Sequence, residues 1–223
     1  MPSIKENLQQ VTAQLPEGVQ LVAVSKFHPV EALQEAYDAG QRMFGENRAQ
    51  ELIAKAPLLP KDIRWHFIGH LQKNKVRAIM PYVSVIESVD SVNLLKLIEK
   101  EAARIDRTVD VLLQLHVAQE ETKSGFSIDE VIDAGEAGEL TCYPHINVCG
   151  VMAMASLTDD MEQVASEFEL VRRTYVMLKD GPFDESEHFN HLSMGMSDDW
   201  PIAVKYGATL VRIGTAIFGA REY

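Results

Sequence analysis

Eight short apolar runs alternate along this chain with segments of helical period, and that alternation constrains the fold more than any other feature. Each run ends in a polar turn and is followed by a segment whose apolar residues recur every three or four positions, the pattern of βα units around a parallel sheet. Strands are predicted near Leu21–Ser25, Met43–Gly45, Arg64–Ile68, Val83–Ile86, Val109–Val117, Val148–Ala153, Phe189–Ser193 and Thr209–Ile213. A leading helix, Ile4–Leu15, comes before the first of them. Helices are expected at Val30–Tyr37, Ala49–Ala54, Gln72–Ile79, Val92–Ala103 and Met161–Leu178, and from Asp198 or Asp199 through Tyr206. Ser127 with Glu130 forms a capping-box pattern, and Thr158 is placed to cap the long helix in the same manner.

The expected fold class is α/β, a single (β/α)8 TIM-type barrel with an extra N-terminal helix, occupying residues 1–223 as one domain. An open doubly wound sheet is the runner-up. It lacks the glycine-rich turn after the first strand that a dinucleotide fold carries.

Charge narrows the partners. A formal net charge of -12 leaves no cationic footprint for nucleic acid or an anionic membrane surface. The N-terminus is polar where a signal peptide would be apolar, and no run reaches membrane-spanning length, so a cytoplasmic protein is expected. The two cysteines, Cys142 and Cys149, lack metal-site spacing and read as buried or idle thiols. No metal site is expected, because His66 and His70 fall on a strand and loop rather than on one helix face.

In a barrel of this kind ligands meet the C-terminal strand ends. The first strand, Leu21-Val22-Ala23-Val24-Ser25, runs out at Lys26, and Pro29 then suits the first turn of a helix. A lysine there is either a snorkelling surface residue or a desolvated amine able to condense with an aldehyde. Loops after strands seven and eight are the usual phosphate cradle, and Ser193, Gly195, Ser197, Gly214 and Thr215 fit one: glycines let backbone approach an anion, and hydroxyls add donors. Arg212 interrupts the apolar run Leu210-Val211-Arg212-Ile213. It must pair with a core carboxylate or point at an acceptor such as a heteroaromatic nitrogen.

The segments AVSK, FGENRAQE, WHFIGHLQKNK, ETKSGF, LSMGMSDDW and VRIGTAIFG, in that order from Leu21 to Gly219, resemble the YggS/PROSC family of pyridoxal-phosphate-binding homeostasis proteins. The fold of that family is similar to the barrel domain of bacterial alanine racemase. The resemblance implies that Lys26 carries pyridoxal 5′-phosphate (PLP) as a Schiff base. It implies that Ser193, Gly195, Ser197, Gly214 and Thr215 surround the phosphate, that Arg212 faces the pyridine nitrogen, and that Asn47 and His70 lie near the ring. Met194 and Met196 are expected against the ring or the barrel top.

The function so implied is PLP holding, buffering and delivery to apo PLP-dependent enzymes by a monomer, with at most a weak dimer, and without catalytic residues of its own. The alternative is a small PLP-dependent racemase or lyase recruiting its second acid from Tyr82, Tyr143 or a neighbouring copy. A phosphosugar aldolase using Lys26 ranks third. Lys123, in the loop after the fifth strand, is a candidate second amine for aldehyde in transit.

Overall fold

In a computed structural model of the chain, which describes residues 3–118 and 124–219, eight parallel strands close into a barrel in the order β1 to β8. The strands are β1 (Gln20–Val24), β2 (Met43–Glu46), β3 (Arg64–Phe67), β4 (Val83–Val89), β5 (Val109–Leu115), β6 (Ile146–Ala153), β7 (His191–Ser193) and β8 (Leu210–Ile213). Closure is made by β1 against β8, with Val22 opposite Arg212.

Alternation along the strands sorts side chains into two packed regions. Val22, Val85, Leu112, Cys149, Met152 and Leu210 form a small apolar cluster inside the barrel. Their strand neighbours, among them Ala23, Ile86, Val111, Val151 and Val211, join the larger core between barrel and helices. That outer core is sealed by α1 (Ile4–Gln14), α2 (Val30–Asp38), α3 (Ala49–Lys55), α4 (Val76–Ile79), α5 (Val92–Arg104), α6 (Ile128–Glu136), α7 (Met161–Asp180), α8 (Trp200–Lys205) and α9 (Thr215–Phe218).

Two capping boxes form as reciprocal pairs among the described residues, Ser3 with Glu6 and the expected Ser127 with Glu130. Thr158 does not cap α7. Asp160 does, accepting from the amides of Glu162 and Gln163 at 3.0 and 3.1 Å, while the Thr158 hydroxyl accepts from the Asp160 amide. Thr158 stands too far upstream to reach the first turn, and a carboxylate there complements the helix dipole. The segment expected to be one helix from Gln72 to Ile79 is a 3-10 turn at Lys73–Lys75 running into the single turn of α4.

No helix of the described residues is long and apolar enough to cross a membrane. Cys149 is buried and Cys142 exposed. Burial, with Asp110 beside it, pushes the Cys149 thiol up to about 12. Alkylation of the native protein is therefore expected to modify Cys142 and spare Cys149 until unfolding, as peptide mass mapping will read.

Candidate functional site

The C-terminal ends of β1, β2, β3 and β8 surround two adjoining cavities that share Lys26 and Asn47. The smaller, about 120 Å³, is lined by Lys26, Asn47, Ser197, Arg212, Gly214 and Thr215, with Val24, His28, Ile68, Met154 and Met196 completing the wall. The larger, about 870 Å³, opens toward β2 and β3 past Arg48, Glu51, His70, Gln72 and Lys75.

Most of the sequence-predicted residues thus converge, and four, Gly195 among them, do not line the small cavity. His70 sits in the larger one, with 64% of its side chain exposed and Nδ1 3.3 Å from an Asp90 carboxylate oxygen. Met194 is wholly buried in the outer core, and Ser193 is wholly buried beneath the cavity. Strand alternation explains both: they are consecutive residues pointing to opposite faces of the barrel wall, neither toward its mouth.

Gly195 and Gly214 earn their identity. Gly195 holds φ at 95°, and a Cβ there would stand 2.7 Å from the Ala203 Cβ and 2.8 Å from the Trp200 Cα. A Cβ on Gly214 would meet the Val24 carbonyl at 3.0 Å. Gly214 is followed by the single turn of α9, in which the Ile217 and Phe218 amides donate back to the Gly214 carbonyl at 2.9 and 3.0 Å, so only the Thr215 and Ala216 amides precede the first bonds of the turn.

Arg212 takes the first of the two roles the sequence left open, pairing with a buried carboxylate. Nη1 donates to the Ser193 hydroxyl at 2.5 Å and Nη2 to the Ala153 carbonyl at 2.8 Å, and the guanidinium lies 3.6 Å from Glu87 while still bordering the small cavity. Glu87 accepts from Ser193 at 2.6 Å and pairs with His66 Nδ1 at 2.6 Å. Burial works against the Glu87 charge, yet His66, Arg212 and the Ser193 hydroxyl together hold its carboxyl below the ordinary range.

Sequence reasoning missed Glu87 as the counter-ion of Arg212 and His66 as the second partner of Glu87. It ended the fourth strand at Ile86, whereas β4 continues through the buried Glu87 and Ser88 to Val89. An isolated Glu-Ser in an apolar run was the available signal.

A second polar cluster was missed on the outer side of the β1 and β2 ends. Lys55, on α3, is buried and donates to Glu46 at 2.8 Å, to Glu51 at 2.9 Å and to the Ser25 carbonyl at 3.0 Å. Burial pushes the Glu46 carboxyl up to about 6 against the pull of Lys55. Glu51 is partly buried, but Lys55 and the Phe27 amide hold its carboxyl below the usual range.

Tyr82 precedes β4, and Tyr143 lies in the connection before β6, its hydroxyl donating to the Glu139 carbonyl at 2.8 Å. Both belong to the N-terminal end of the barrel, so neither supplies an acid to the cavities. Lys123 lies outside the described residues.

The sequence model for the alanine racemase N-terminal domain matches residues 1–222. A pyridoxal phosphate homeostasis protein of Vibrio alginolyticus is 37% identical over 238 residues, covering all of both chains. The human protein of the same name is 38% identical, covering 99% of this chain and 85% of its own. Among solved structures, PipY of Synechococcus elongatus PCC7942 without PLP superposes with a TM-score of 0.91 at 38% identity, covering 97% of this chain and all of that one. PipY with PLP bound gives 0.87 at 37% identity, over 97% of this chain and all of that one. Alanine racemase from E. faecalis, at 19% identity, shares the fold, with a TM-score of 0.72 over 97% of this chain and 57% of its own. The chain belongs to the alanine racemase N-terminal domain family and, within it, to the pyridoxal phosphate homeostasis proteins.

Proposed function

We propose that this chain binds pyridoxal 5′-phosphate through Lys26 and serves intracellular vitamin B6 homeostasis, buffering the cofactor and delivering it to apo-enzymes without robust turnover of amino acids. One observation carries the reading: a single small cavity joins the strand-end lysine to Arg212, Gly214, Thr215 and Ser197. The names of the relatives and the PLP-bound PipY structure support it.

The residues fit the group. When bound, PLP supplies an aldehyde carbon that condenses with a primary amine and releases one water. Lys26 Nζ is the amine that lines the cavity. Ser197 and Thr215 hydroxyls and the first amides of α9 would hold the phosphate, with Gly214 allowing close backbone approach. Asn47, whose side-chain oxygen is buried with no partner, offers an acceptor at the boundary of the two cavities.

Arg212 limits what the site does. A guanidinium only donates and stays charged, so opposite a pyridine nitrogen it would leave no acceptor for a ring proton there. Without that proton the ring is a weaker electron sink, and racemisation further calls for an acid on the opposite face of the substrate. The chain works as a single barrel of residues 1–223, a monomer or weak dimer, in the cytoplasm.

Borohydride reduction of the PLP-loaded protein followed by mass mapping is expected to place the adduct on Lys26. Lys26→Ala should lose both the adduct and the visible absorbance. An adduct on another side chain overturns the reading. So does Lys26-dependent deuterium exchange at the α-carbon of added amino acids at ordinary enzyme rates.

A further inference from the structure

The residue after Lys26 is strained, and what holds it lies outside the small cavity. Phe27 has φ of 68°, the left-handed region that a residue with a Cβ rarely occupies. His28 donates its amide to the Ser25 carbonyl at 3.1 Å, so Lys26 and Phe27 are the two central residues of a tight turn. A turn with a left-handed third residue ordinarily places glycine there. Phenylalanine needs restraint from its surroundings to stay.

Glu51 and Arg48 supply that restraint. Glu51 accepts the Phe27 amide at 2.7 Å, and the Arg48 guanidinium stands 4.7 Å from the centre of the Phe27 ring. Glu51 is held in turn by Lys55, and Lys55 by Glu46 and by the Ser25 carbonyl. Ser25 closes the circuit, its hydroxyl donating to Glu46 at 2.7 Å. Lys55 therefore grips Ser25 directly and Phe27 through Glu51, on both sides of the residue that lines the cavity. Neither Lys55 nor Glu46 lines either cavity themselves. Burying a lysine between two carboxylates is a poor way to gain stability, whereas backbone strain kept at one defined place accompanies pre-organised function.

We propose that Glu46, Lys55 and Glu51 act as a clamp that keeps the Lys26–Phe27 turn left-handed, presenting Lys26 to the cavity before any ligand arrives. The inference rests on the reading that Lys26 carries the cofactor. The three are positioning residues, and their effect is to meet in folding an ordering cost that would otherwise fall on binding. Without the clamp the turn relaxes, and PLP affinity falls on the order of tenfold. A glycine at position 27 adopts the same turn unaided.

The test uses full-length wild type, Glu51→Ala, Phe27→Gly and the double variant. Each is titrated with PLP, following the absorbance of the lysine-bound form, with the melt of ligand-free protein as a folding control. Glu51→Ala is expected to lose affinity about tenfold, Phe27→Gly to stay within about threefold of wild type, and the double variant to return to within about threefold of it. A Glu51→Ala affinity within threefold of wild type overturns the clamp, as does a double variant no better than the single one. Amide hydrogen exchange on ligand-free wild type reads the same claim without a variant: a protected Phe27 amide supports it and a freely exchanging one overturns it. Wild type that takes up no PLP at Lys26 defeats the functional reading instead, while the Phe27 exchange still reports on the clamp.

Discussion

Glu87→Gln is expected to lower the stability of this protein by about 3–5 kcal/mol, because it leaves the Arg212 charge buried without its counter-ion. The carboxylate is fully buried at the centre of a network in which His66, Ser193 and Arg212 all converge on it. A glutamine offers one acceptor where two oxygens are engaged, and its amide N–H would face Ser193 and Arg212 or His66, all donors in the present arrangement. Urea unfolding read by midpoint and slope measures the loss; a cost under about 1 kcal/mol would show that the network contributes little.

The same carboxylate sets an acid limit. Its folded pKa is depressed, so it contributes stability that is present above the ordinary carboxylate value of 4.5 and disappears as pH falls through the lower folded value. Wild-type stability should therefore decline below about pH 4.5, and that part of the decline should be missing in Glu87→Gln. Glu46 works in the opposite sense. Its carboxyl, pushed up to about 6, takes a proton more readily folded than unfolded, so its contribution weakens stability as pH rises from about 4.5 to 6.

The barrel was legible because hydrophobic period is a local property: all eight strands fall where apolar runs predict them, within a few residues. Lys26, Ser197, Arg212, Gly214 and Thr215 were legible because strand-end position is nearly as local as period. Partnership was not. Nothing near Arg212 in the sequence says that its counter-ion is Glu87, across the barrel interior, or that Ser193 sits between them rather than at the mouth. Phe27 shows the same gap. Left-handed backbone is signalled by glycine or asparagine, and a phenylalanine held there by Glu51 gives no sign of it until tertiary contacts are known. Glu87 and Glu46 both read as the polar ends of strands, yet one turns into the barrel and the other out toward α3, a distinction that residue alternation settles only once register is fixed.

Two glycine substitutions should separate the scaffold from the site. Gly69 follows β3, and a Cβ there would fall 2.3 Å from the Asn47 carbonyl oxygen and 2.8 Å from the Asn47 Cα. Gly150 lies within β6 at φ of 149°, paired to His191, and its Cβ would fall 1.8 Å from the His191 carbonyl oxygen. Backbone cannot rotate away as a flexible side chain does, so Gly69→Ala and Gly150→Ala should each cost about 3 kcal/mol or more. Their effects on PLP then diverge. Relieving the clash at Gly69 moves the Asn47 backbone, which borders Lys26 in both cavities, by roughly 1 Å, enough to weaken PLP binding by the folded protein about tenfold. Gly150 lines neither cavity, so the folded fraction of Gly150→Ala should bind as wild type does. Paired denaturation and PLP titrations, the latter corrected for folded fraction, read both quantities. Equal affinities for the two variants would mean that the contact between Gly69 and Asn47 supports only the fold, and that the wall shared by the cavities tolerates displacement.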